Sequence, residues 1–167
     1  AAMTKAASGA LRAEAHDLPV VLGGISPIDP AFMRNLASHE ALDGLDGVPT
    51  LERAASLFEE ALRRNPRYTL AYLNLGYARL AQVQALVFRG LDASERVARG
   101  RAAIEKGVAL APGEPFGLAK LGFSYLVEAL ELQSRGLPAG DAARKSLEVY
   151  GQARVAGPKN RGPLVGI

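Results

Sequence analysis

Pro66, Pro112 and Pro158 stand 46 residues apart, and the residues around them repeat in the same register. The stretch NPRYTLAYLNLGYARL at 65–80 returns as APGEPFGLAKLGFSYL at 111–126, and Gly-Leu-Asp at 44–46 and 90–92 is matched by Gly-Leu-Pro at 136–138. Counting back from the prolines, Phe58 aligns with Ile104 and Tyr150, Ala61 with Gly107 and Ala153, and Leu57 with Ala103 and Val149. A spacing kept by several landmarks, with no concentration of reactive side chains, points to stacked copies of one unit that share a core.

Within each unit, apolar residues recur at three and four positions, which predicts helices, and the breaks fall at the Gly-Leu-Asp/Pro landmark and at the proline. The second unit is expected to carry a helix striped by Leu70, Leu73, Tyr77, Leu80 and Ala81, with Gly90 taking positive φ beyond its end. A partner helix is expected from Ser94 as N-cap, with Glu95 in the first turn, to about Leu110. Helices at about 115–135 and 140–156 follow in the third unit. The first unit is partial: Asp29-Pro30 opens a short helix to about Asp43, and Thr50 opens its partner to Arg64. Only 6% of residues are aromatic against 49% hydrophobic, so the core has to be built from Ala, Leu and Val. Small residues at 61, 76, 107, 122 and 153 let helices approach, while Phe58, Ile104 and Tyr150 fill the space between them.

The pattern resembles the tetratricopeptide repeat on Tyr72, Leu75, Gly76, Gly100, Ile104, Gly107 and Pro112, and again on Leu118, Leu121, Gly122, Tyr125, Ser146, Tyr150, Ala153 and Pro158. Ala54, Phe58, Ala61 and Pro66 supply the partial first unit. The family's unit has about 34 residues, and this one is longer by 12, inserted around Gly90 and Gly136. Arg79 stands where the family has an aromatic. The elongated unit also resembles repeat arrays attached to some bacterial serine/threonine kinases, although no kinase motif lies in this chain. The resemblance implies an all-α, right-handed solenoid of helical hairpins, about two and a half to three repeats over residues 30–158. Residues 1–29 are expected to form a capping helix and linker, and 159–167 a tail.

By the same resemblance, the first helices line a concave groove that binds a peptide or partner segment. The residues carried over are Leu70, Leu73, Asn74, Tyr77 and Ala81, then Phe116, Ala119, Lys120, Phe123 and Val127. Asn74 and Lys120 resemble part of the carboxylate clamp of some chaperone-binding members, with Leu70 and Phe116 standing where a fuller clamp has lysine. Alternatives are a structural or regulatory extension that self-associates through its open ends, and nucleic-acid binding through Arg96, Arg99, Arg101, Arg144, Lys145, Lys159 and Arg161. The latter is disfavoured, because a formal charge of +3 is spread without a dense basic block.

Catalysis is not expected. Cysteine is absent, which removes thiolate nucleophiles and Cys-ligated zinc. His16 and His39 are the only histidines and lack helical metal-pair spacing, and contiguous Ser38-His39-Glu40 points its side chains apart. Glu59-Glu60 is expected to face solvent, paired with Arg63 and Arg64. The glycines of VLGGIS lack the lysine of a phosphate loop. No metal or cofactor is implied. No apolar run approaches the ~20 residues needed to cross a bilayer, so a soluble chain without membrane insertion is expected, with the cytoplasm the favoured compartment.

Overall fold

The computed structural model describes residues 48–157, apart from the side chains of Gln84, Ala85 and Phe88. The expectations for 1–29 and for a helix from Pro30 lie outside the described residues. Among those described, the fold is all-helical with no strand: α1 Val48–Arg64, α2 Thr69–Phe88, α3 Ser94–Leu110, α4 Pro115–Ser134 and α5 Gly140–Ala156. The repeat is written into the backbone. Helices of 17 and 20 residues alternate, and both the 17-residue starts (48, 94, 140) and the 20-residue starts (69, 115) keep the 46-residue step.

The breaks repeat as well. Gly90 and Gly136 take φ of 68° and 69°, conformations that a side chain disfavours. Each closes its helix with the same pair of bonds: Gly90 N–H donates to Val87 O and Leu91 N–H to Leu86 O, as Gly136 does to Gln133 O and Leu137 to Leu132 O. This is the Schellman arrangement, which satisfies carbonyls left open at a helix end. At the proline break, Pro112 fixes φ and Gly113 (φ 79°) completes a tight turn in which Glu114 N–H donates to Ala111 O at 3.3 Å. Glu114 then caps α4, accepting from the N–H groups of Phe116 and Gly117, with Pro115 in the first turn.

One helix start differs from expectation. Ser94 is the first residue of α3, not its N-cap, and its N–H donates to Asp92 Oδ1 at 2.8 Å. The two-residue reach of an Asp side chain does here what a Ser hydroxyl was expected to do.

Neighbours along the chain are antiparallel. Gly100 faces Gly76 and Leu80, while Gly107 faces Leu73 and Thr69, which fixes opposite directions for α2 and α3. A Cβ built on Gly76 would stand 2.5 Å from both Gly100 O and Ile104 Cγ1. The counterpart one unit later is Gly122, whose Cβ would stand 3.0 Å from the Tyr150 ring. The same hydrogen-for-methyl economy thus brings both hairpins together, and Ser146 Oγ adds a buried bond to Gly122 O at 2.9 Å.

Each helix touches the next, and α2 also touches α4; no other pair among the described helices has backbones in contact. Helix α2 is therefore covered on several sides. Ala71, Leu75 and Ala78 join Ala54, Ala55 and Phe58 of α1, and Leu73, Leu80 and Val83 join Val97 and Ile104 of α3. The stripe expected to unite Leu70, Leu73, Tyr77, Leu80 and Ala81 is accordingly divided: Leu73 and Leu80 are buried, Tyr77 and Ala81 are half-buried, and Leu70 is exposed. No described helix is long and apolar enough to cross a membrane.

Candidate functional site

Helices α2 and α4 run side by side, with residues one unit apart meeting across the contact. Tyr77 and Phe123, equivalent in the repeat, stack with ring centroids 5.4 Å apart and planes tilted by 40°. The Lys120 ammonium lies 3.6 Å from the Tyr77 ring centroid and 5.1 Å from that of Phe116. A cation held against two π faces is attracted by their quadrupoles, which orients an otherwise flexible stem. Tyr77, Lys120 and Phe123 are half-buried, and Phe116 is exposed. Together they form a surface with aromatic flanks and one positive charge.

Of the ten carried-over residues, Leu70, Asn74, Tyr77, Ala81, Phe116, Ala119, Lys120 and Phe123 are at least partly accessible. Leu73 and Val127 are not: at 1% and 7% exposure they belong to the core, so they cannot line a groove. The reason is packing. Leu73 presses against the position of the missing Gly107 Cβ, and Val127 joins the cluster between α2, α3 and α4.

The charges are organised by cross-helix pairs that the sequence did not reveal. Glu59 pairs with Arg79 of α2 rather than with Arg63, while Glu60 pairs with Arg64 at 3.0 Å. Arg79 also donates to Arg99 O, so the arginine that replaces the family's aromatic ties α1, α2 and α3 together. Arg96 donates to Glu52 at 2.5 Å and to the fully buried Gln82, whose Nε2 has no partner among the described residues. Arg101 bonds Glu128 and lies 5.2 Å from the Tyr125 ring centroid, joining α3 to α4. Glu131, 3% exposed, is neutralised by Arg135 at 3.0 Å, which also reaches Asp92 at 3.7 Å. The hydrogen bonds from Ser94, reinforced by Arg135, hold the Asp92 carboxyl below its ordinary range.

Of the arginines considered for nucleic acid, Arg96, Arg99, Arg101 and Arg144 all sit in ion pairs, and Lys145 lies 5.7 Å from the Tyr125 ring centroid. Lys159 and Arg161 lie outside the described residues, as do His16, His39, Ser38 and Glu40. No group of three or more potential metal ligands occurs among the described residues. No family model, curated protein or solved structure matches the chain.

Proposed function

We propose that this chain is a non-catalytic binding module of the tetratricopeptide type, a helical solenoid whose α2/α4 surface takes a short peptide or partner segment. The observation that carries the reading is the meeting of Tyr77, Phe116, Lys120 and Phe123 on one accessible surface. Aromatic side chains offer contact area at small entropic cost, and the ammonium offers a charge-assisted bond to a carboxylate. The ligand chemistry that fits is a partly apolar peptide with an acidic side chain or C-terminal carboxylate, with Asn74 available on the same stripe for a neutral hydrogen bond.

A peptide-array screen followed by calorimetry tests this. Lys120→Ala is expected to weaken the best peptide by roughly fivefold to thirtyfold, more at low salt, with helicity unchanged. Lys106→Ala, which removes an exposed lysine from α3, is the charge-matched control and is expected to bind like the parent. Equal affinity of the parent and Lys120→Ala removes the clamp.

A further inference from the structure

Helix α5 buries one side and leaves an apolar stripe on the other. Ala142, Ser146 and Ala153 face the protein. On the opposite side, Leu147 is 68% and Val155 81% exposed, four residues to either side of Gly151. At helical spacing these three lie on one stripe. Their counterparts are Arg101, Glu105 and Ala109 on α3, and Ala55, Glu59 and Arg63 on α1. Arg101, the counterpart of Leu147, is half-buried against Glu128 and Tyr125 of α4. The third unit thus presents leucine where the second presents a charge that α4 covers.

Gly151 has no reason within the chain to be glycine. A Cβ there would meet nothing within 4 Å, and its φ is not positive. A glycine inside a helix is unfavourable relative to alanine, and its distinctive benefit is the close approach of another backbone.

The flanking charges indicate what approaches. Glu148 and Arg154 are both exposed and sit three residues before and three after Gly151. In an antiparallel pair of α5 helices crossing at Gly151, Leu147 faces Val155 of the other copy, and Glu148 faces Arg154. A parallel pair would set Glu148 against Glu148 and Arg154 against Arg154. We infer that α5 is the contact of a two-fold symmetric, antiparallel homodimer centred on Gly151, with two Leu–Val contacts and two Glu–Arg pairs around the axis. With one helix from each copy, the interface lies at the small end of specific contacts, and dissociation on the order of micromolar is expected.

Symmetry makes the pairing testable without disturbing the fold, since the charged positions are solvent-exposed. Sedimentation velocity over a wide concentration range is expected to give a monomer–dimer equilibrium for the parent. Glu148→Arg and Arg154→Glu each set like charges across the axis, and each is expected to weaken self-association by roughly tenfold or more at low salt. An equimolar mixture of the two variants restores both opposite-charge pairs, so it is expected to regain dimerisation near the parental strength. Circular dichroism is expected to be unchanged throughout. A parent that stays monomeric at every concentration overturns the inference, whether the stripe is then covered by residues 158–167 or by a different protein. So does a dimer indifferent to both charge reversals, or a mixture no stronger than the single variants.

Discussion

At the scale of single residues, the same amino acid serves opposite ends in two places. Gly76 is required by packing, because a methyl group there would stand 2.5 Å from a backbone oxygen that cannot swing aside. Gly151 meets nothing. Gly76→Ala is therefore expected to destabilise the protein by about 2–3 kcal/mol through overpacking. Gly151→Ala, measured in dilute solution, is expected to stabilise it by about 0.5–1 kcal/mol through helix propensity. Urea denaturation of the two variants beside the parent reads both; a loss at Gly151 comparable to that at Gly76 would mean that α5 is packed on both sides. The role of Gly76 was legible in the sequence, since it recurs as Gly122 opposite Ile104 and Tyr150, the equivalent large residues. That of Gly151 was not, because no other unit has glycine there and the 46-residue register gives nothing to compare.

At the scale of helices and turns, the ends carry the repeat more faithfully than the middles. Gly90 and Gly136 were readable as positive-φ stops because only glycine enters that region without penalty. The start of α3 was misread by one residue: Asp92 and Ser94 are both good capping residues, and sequence alone does not say which oxygen turns inward. The Asp92 carboxylate accepts from Ser94 and faces Arg135, and its pKa is lowered in the fold. A group lowered on folding contributes stability that is present above its unfolded pKa and lost as pH falls through its folded pKa. Asp92→Ala is thus expected to lower the melting temperature at neutral pH and to flatten its fall between neutrality and acid, where the parent loses this contribution. Thermal melts across that window test it, and parallel acid limbs for parent and variant would show that Asp92 plays no part.

At the scale of the whole molecule, the all-helical fold and its 46-residue step were plain in the sequence because periodic apolar residues and helix breakers act locally. Which side of a helix finds a neighbour depends on every other helix. Leu73 and Val127 share a stripe with accessible residues, so their burial was invisible until α3 and α4 were placed. The same holds for Arg79, whose partner Glu59 lies 20 positions away. Tyr77, Phe116, Lys120 and Phe123 were legible as a set because both units carry them at equivalent or neighbouring positions, but the stacking of the ammonium on two rings was not.

The contacts are unequally shared: α2 touches α1, α3 and α4, whereas α5 touches α4 alone among the described helices. Under mechanical load such a chain has a weak end and a strong middle. With no native cysteine, handles can be attached uniquely at introduced cysteines near Val48 and Gly157, and an optical trap can draw the two apart. The first rip is expected to be the release of α5, at a force lowered further by Tyr150→Ala, which empties the space beside Gly122. The hairpin of α2 and α3 is expected to yield last, and a single rip spanning the whole length would instead mean that the units break as one body.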